Sequence, residues 1–396
     1  MIPFNKPFIT GNELHYIQDA VDEGHISGNG KYTKKTQQYF EERYGFNKCL
    51  LTTSCTDALE MAAILLDIGP GDEVIMPSFT FVSTANAFLL RGATIRFVDS
   101  REDHPGIDED AIEELITSQT KAIVVVHYAG IACDMDKVMA IAEAHNVFVV
   151  EDAAQAIESY YYHIDGTRSP LGSIGHLGAF SFHETKNISA GEGGMLTVND
   201  DRFAERAEII WEKGTNRASF FRGEVNKYGW VDIGSSFLPS ELNAAFLFAQ
   251  LMNIDLIQEK RRSLWDRYEF GLKELTHRLK IKRPYIPEFA TNNAHMYYLV
   301  CDSEAQRTAF LHFLKEQGIL SVFHYQSLHE SPFFNQLHDG RALPNTIRYS
   351  NQLVRMPLFF ELSVGTQNHI IKTANFFEQE VDPRSIKSNM RIPAVN

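Results

Sequence analysis

The sequence predicts an α/β protein, a mostly parallel sheet covered by helices and followed by a smaller C-terminal α+β domain. Short apolar runs at 49–52, 74–76, 94–99, 121–127 and 147–150 alternate with helical patterns at 54–66, 83–90, 111–116 and 137–145. Such alternation needs crossover connections, which produce parallel pairing. A second observation is length: 396 residues with 44% hydrophobic content exceed one average domain and suffice for two cores. The third is a long helical pattern at 239–275 that ends before Pro284 and Pro287. These features predict a large domain over 1–240 with an N-terminal arm, a linking helix and small domain over 241–380, and a polar tail over 381–396.

In order, the chain opens with an extended entry, a helix at 12–23 and the loop Ser27-Gly28-Asn29-Gly30, which reads either as a surface turn or as a close backbone approach. A helix at 34–44 precedes the strand at 49–52, which runs directly into a helix opened by Ser54, Cys55 and Thr56. Free N–H groups at a helix start suit a phosphate, and the same hydroxyls also suit simple capping. Phe81 follows the next strand, where an aromatic serves as core or as a stacking face for a flat ring. The apolar run 147–150 reads as a strand buried on both faces and delivers Glu151 and Asp152 at its carboxyl end, where open α/β sheets keep their ligands. Lys186 lies in a polar turn after a strand at 179–182, and Gly191-Glu192-Gly193-Gly194 leads back into a strand at 195–198. The aromatic, charged stretch 215–236 has little periodicity and is long enough to be functional or to reach a neighbouring chain. In the small domain, strands are expected at 294–301 and 320–325 and helices at 304–317 and 365–380.

Several classes are disfavoured. A net charge of −14 gives no broad electrostatic footprint for nucleic acid. No apolar run has the length of a membrane span, and the N-terminus lacks a signal-peptide core, so a cytoplasmic location is expected. Cys49, Cys55, Cys133 and Cys301 show no CxxC spacing, which predicts neither metal nor disulfides. The dinucleotide fingerprint GxGxxG is missing, and the glycine segment at 191–194 lacks a P-loop lysine.

What remains is a constellation: a strand-to-helix phosphate site, an aromatic face, an acid after VFVV and a lysine after FSF. That order fits a pyridoxal 5′-phosphate pocket, with Lys186 forming a Schiff base and Asp152 holding the pyridine nitrogen protonated.

The residues 53–59 (TSCTDAL), 71–75 with 77–81 (GDEVI, PSFTF), 151–155 (EDAAQ) and 180–187 (FSFHETKN) together resemble the DegT/StrS-type sugar aminotransferases, and the resemblance spans 2–380. It implies a fold-type I pyridoxal-phosphate enzyme that moves an amino group from L-glutamate to a dTDP-linked 4-keto-6-deoxyhexose for surface-glycan assembly. A 3-keto substrate, or a 4-amino product of the gluco configuration, stays open. By the same resemblance Cys55, Thr56 and Ser181 serve the cofactor phosphate, Phe81 stacks on the ring, Asp152 meets its nitrogen, Gln155 sits near its phenolic oxygen, and Lys186 carries it. Ser236 stands where the family places an asparagine lent by a partner subunit, and the family's Tyr-x-Pro-Leu-His reads Tyr325-Gln326-Ser327-Leu328-His329 here. His183, His324, Tyr325 and His329 are the candidates to face the nucleotide sugar, and a homodimer with shared active sites, joined through 215–236, is implied.

Overall fold

The computed structural model describes residues 1–378, so the tail expected at 381–396 lies outside the described residues. Helices α1 (Glu13–Asp22) and α2 (Lys31–Tyr44) lead to β1 (Lys48–Thr52) and α3 (Cys55–Leu65). There follow β2 (Glu73–Pro77), α4 (Val82–Leu89), β3 (Thr94–Val98), β4 (Thr120–Val126), α5 (Met135–His145) and β5 (Phe148–Asp152). The expected helix at 111–116 is instead two short 3-10 turns. A hairpin of β6 (Tyr160–Tyr162) and β7 (Arg168–Pro170), not foreseen from the sequence, separates β5 from β8 (Leu177–Ser181) and β9 (Gly194–Val198).

Seven strands form one sheet in the order β1-β9-β8-β5-β4-β2-β3. β9 runs antiparallel to β1 and β8, whereas β8, β5, β4, β2 and β3 are mutually parallel. The sheet is therefore mostly parallel, and its central strands are buried on both faces: Val149 and Ile123 pack on one side, Val150 and Val124 on the other.

Beyond the sheet lie α6 (Ala204–Trp211) and α7 (Arg217–Phe221), the latter inside the stretch read as irregular. The long pattern at 239–275 is resolved into α8 (Glu241–Leu251) and α9 (Ile254–Gly271), which meet at Met252 and Asn253. Asn253 turns its amide onto the carbonyl of Ala249 and leaves helical geometry, which breaks the run. α8 buries Ala244, Ala245, Leu247 and Leu251 against the core of the large sheet. α10 (Lys273–Leu279), β10 (Tyr297–Val300), α11 (Glu304–Glu316), α12 (Pro344–Gln352), β11 (Leu353–Met356) and α13 (Val364–Asn375) complete the chain. β10 and β11 pair antiparallel, and Leu299, Val354, Phe310 and Ile370 form a separate apolar cluster with the second half of α9.

The glycines of the early loop make close backbone approaches to other parts of the chain and are not a free surface turn. A Cβ on Gly28 would lie 2.5 Å from the carbonyl oxygen of Pro239, and Gly30 N–H donates to Glu241 at 2.9 Å. Glu241 also accepts from the N–H groups of Tyr32 (2.6 Å) and Thr33 (3.1 Å), so a side chain of α8 caps the start of α2.

Candidate active site

Asp152 ends β5, beside the strand β8 whose exit turn carries Lys186. Adjacent parallel strands thus bring an acid and a lysine to one sheet edge, the place where α/β sheets collect ligands. The Asp152 carboxylate is 6% exposed and accepts from the Thr84 hydroxyl at 2.7 Å and the Ala154 N–H at 3.2 Å. No cation lies within ion-pair distance of it among the described residues. Burial pushes its pKa up, opposed by those two donors. Lys186 is lowered from the usual lysine range, chiefly by burial and also by the charge of Arg355, while Cys55 and Asp152 act the other way. Its amine makes no ion pair among the described residues.

The turn that presents Lys186 is pinned from behind. Asn187 is buried and donates to Gln258 and to the Asn293 carbonyl, each at 3.0 Å, and its amide oxygen meets His295 Nδ1 at 2.9 Å. Burial drives His295 well below the ordinary histidine value, which leaves a neutral ring. Asn293 in turn donates to the carbonyls of Gln155 (2.7 Å) and Ile157 (2.8 Å), so one asparagine ties the segment after Asp152 to the lysine turn.

At the next edge, β1 runs into α3. Ser54 caps that helix by accepting from Asp57 N–H at 3.1 Å. Cys55 and Thr56 are the first helical residues, so their N–H groups have no intrahelical acceptor. Thr56 donates to the hydroxyl of Ser83 at 2.8 Å, joining the starts of α3 and α4. Gly194 explains the glycine segment: a Cβ there would come within 2.3 Å of the Ser54 carbonyl group and 2.4 Å of Cys55 N. Only a glycine lets β9 cross so near the start of α3.

Phe81 precedes α4 and is 54% exposed, so the core reading for it is overturned. Its ring lies 5.9 Å from that of Tyr325. The Tyr325 hydroxyl accepts from Gln155 Nε2 at 3.1 Å, and Gln155 Oε1 takes the Ala129 N–H at 2.6 Å. His324 stacks on Tyr325 and receives a guanidinium N–H of Arg355 on Nδ1 at 3.0 Å. Burial and that guanidinium bring its pKa down to about 4, so the imidazole is neutral.

Of the remaining candidates, Ser181 ends β8 and its hydroxyl accepts from His183 N–H at 3.3 Å. His183 is half-buried and bonded to the Thr185 hydroxyl at 2.9 Å. His329 is buried, not a surface residue, and its Nδ1 meets the Ser78 hydroxyl at 2.7 Å beyond the end of β2. Ser236 is exposed and its backbone pairs with Glu212. Glu151, the other acid of the pair at 151–152, turns to the opposite face: it is fully buried, meets His127 Nε2 at 2.9 Å and accepts from Gly172, Ile174 and Gly175 N–H groups. The residues missed in the sequence are Thr84, His295 and Arg355; only Thr84 had a local signal, its position in the first turn of the helix after Phe81.

An acid deprived of a cation, a lysine with a lowered pKa, an open helix start and an exposed ring surround one place, and these are the donor types that pyridoxal phosphate requires. Comparison with known proteins agrees. The profile of the DegT/DnrJ/EryC1/StrS aminotransferase family matches residues 7–375, and the chain belongs to that family. It is a pyridoxal-phosphate-dependent sugar aminotransferase with the α/β fold of its relatives. It is 30% identical over 380 residues to the spore coat polysaccharide biosynthesis protein SpsC of Bacillus subtilis, covering 94% of this chain and 95% of the relative. Among solved structures it is similar to Spr1654 from Streptococcus pneumoniae, described as a sugar aminotransferase, in its PMP form (TM-score 0.85, 27% identity, 95% of this chain and 98% of that one). TlmJ, an aminotransferase from Streptoalloteichus hindustanus, matches with TM-score 0.85 and 28% identity over 95% of this chain and 98% of its own. Among the described residues no helix is long and apolar enough to cross a membrane.

Proposed function

We propose that this chain aminates dTDP-4-keto-6-deoxy-D-glucose to dTDP-4-amino-4,6-dideoxy-D-galactose with L-glutamate as donor, in the cytoplasm, for assembly of a surface glycan. The observation that supports the catalytic part is the placement of Asp152 at the end of β5 and of Lys186 in the turn that leaves the adjacent strand β8, one buried without a counter-cation and the other with its pKa lowered. The sugar assignment rests on the stretches SCTDALEMAA, PSFTFVSTANAF and FSFHETKN, in which the resemblance to 4-keto-sugar transaminases is densest.

Bound pyridoxal phosphate supplies an electron sink for a carbanion at the reacting carbon. The chain's own residues do the rest. Lys186 holds the cofactor covalently, and its freed amine, poised below the ordinary lysine pKa by burial, takes a proton from the donor's α-carbon and later delivers one to the sugar carbon. Asp152, held by Thr84 and the Ala154 N–H, keeps the ring nitrogen protonated. The start of α3, with Cys55 and Thr56, and the Ser181 hydroxyl receive the phosphate. Phe81 and Tyr325 present aromatic surface to the ring and the sugar, Gln155 approaches the phenolic oxygen, and His183 and His324 line the approach of the nucleotide sugar; His329, buried against Ser78, is not among them. A second copy of the chain completes the site through 215–236: Phe221, Tyr228 and Trp230 there are 71%, 57% and 84% exposed, and such exposed apolar rings suit a dimer interface. Ser236 then faces the partner's cofactor phosphate.

The test is a panel of dTDP-linked 3-keto and 4-keto-6-deoxyhexoses offered to enzyme pre-loaded with an amino group from glutamate, with the amine's position and configuration assigned in the product. Turnover of the 4-keto sugar alone, giving an axial amine, is expected. Turnover of a 3-keto sugar alone, or an equatorial product, overturns the substrate assignment.

A further inference from the structure

Arg355 sits on β11, 7% exposed, in the small domain's pair of strands opposite Tyr298. Its Nη1 is fixed by His324 Nδ1, its guanidinium lies over the ring of Phe4 at 5.0 Å, and its Nε is buried with no hydrogen-bond partner. No carboxylate pairs with it among the described residues. The other buried arginine nearby behaves differently: Arg261 spends its N–H groups on the carbonyls of Ala294 (3.1 Å) and His295 (2.6 Å). Arg355 is thus a buried cation left without a counter-charge, an expensive arrangement unless an anion arrives to complete it.

Its surroundings say where that anion binds. Phe4, which carries the guanidinium, is followed by Asn5, whose amide donates to the Glu184 carbonyl at 3.3 Å, within the turn that presents Lys186. On the other side His324 stacks on Tyr325, whose hydroxyl reaches Gln155. Arg355 therefore belongs to the wall that faces the lysine. The two substrates differ sharply there. An amino-acid donor bears a carboxylate on the reacting carbon itself, whereas a keto sugar has only neutral groups on and beside its carbonyl carbon and holds its phosphates a ring's length away. His324 accepts from Arg355 without neutralising it, which orients the guanidinium and leaves its charge for a ligand.

We infer that Arg355 recognises the carboxylate on the reacting carbon of the amino donor, with His324 as its positioning residue, an inference that rests on the aminotransferase reading above. The decisive experiment follows the two half-reactions separately in single turnovers of holoenzyme, together with calorimetric binding of 2-oxoglutarate, for wild type, Arg355→Gln and Arg355→Lys. In Arg355→Gln the glutamate half-reaction and 2-oxoglutarate affinity are expected to fall on the order of 100-fold. L-alanine, which carries only the carboxylate in question, should lose reactivity by the same factor, while keto-sugar turnover stays within about threefold. The lysine variant keeps the charge without the planar fork and should lie between, so it decides the matter if the glutamine protein does not fold. Equal loss in both half-reactions, loss confined to the sugar step, or an unaffected alanine reaction would each overturn the inference. A wild-type enzyme inert to glutamate that still needs Arg355 to bind 2-oxoglutarate would overturn the donor assignment and leave the carboxylate site standing.

Discussion

Asp152→Asn removes one charge from the end of β5 and changes almost nothing else. The amide oxygen can still accept the Ala154 N–H, now at 3.2 Å, and the Thr84 hydroxyl, now at 2.7 Å, can rotate to accept from the new NH2. The cost in folding stability should therefore stay at about 1 kcal/mol or less. The cost in chemistry is larger. Two unit charges about 4 Å apart interact by roughly 4 kcal/mol at an effective dielectric constant of 20. If the carboxylate acts by holding a proton on the ring nitrogen, its loss takes about three factors of ten from the rate of carbanion formation. The assay is the single-turnover reaction with glutamate, repeated with donor deuterated at the α-carbon so that proton abstraction can be seen to limit the rate. A fall of less than about tenfold, in a variant that unfolds at the same urea concentration as wild type, would refute the role given to Asp152.

Phe81→Ala should leave the urea midpoint unchanged, because the ring is 54% exposed, yet weaken cofactor binding by roughly tenfold through the lost stacking face, read by fluorescence titration of apoprotein. Glu241→Ala strands the N–H groups of Gly30, Tyr32 and Thr33 and should cost about 3 kcal/mol in denaturant unfolding; a change under about 1 kcal/mol would show that water replaces the carboxylate. His324 titrates near 4 when folded against 6.5 in its ordinary state, so its neutral form contributes stability present above pH 6.5 and lost as pH falls toward 4. His324→Gln should flatten the dependence of unfolding on pH across that window, and an unaltered slope would place the acid sensitivity elsewhere.

The sheet was legible because its strands are short, apolar and separated by helical periodicity, a pattern that allows few alternatives. The acid after VFVV and the lysine after FSF could be placed at strand ends for the same reason. Their adjacency required the pairing of β5 with β8, which skips the β6–β7 hairpin and has no local signature. Arg355 was invisible: within LVRMPL a lone arginine reads as the outward face of a strand, and its approach to His324 is set by the packing of β11 against the segment before it. Periodicity likewise carried the helical pattern through Asn253, since hydrophobic spacing resumes on the far side of the break. Phe81 shows the opposite limit. Apolar residues are placed inside by default, and nothing in its residue type signals the exposure that the fold gives it.

The crossing of β9 over Ser54 and Cys55 acts as a gauge. The strand that begins at Gly194 is the return leg of the loop bearing Lys186, and its first residue is wedged, without room for a methyl group, against the start of α3. In the proposed site the span between the phosphate-receiving helix start and the lysine-bearing turn would therefore be set by main chain touching main chain. The wall proposed to face the sugar, with Tyr325 and His324, is attached to a different set of strands. Such a division lets substrate preference drift by side-chain replacement on one wall while the calibrated length on the other stays fixed.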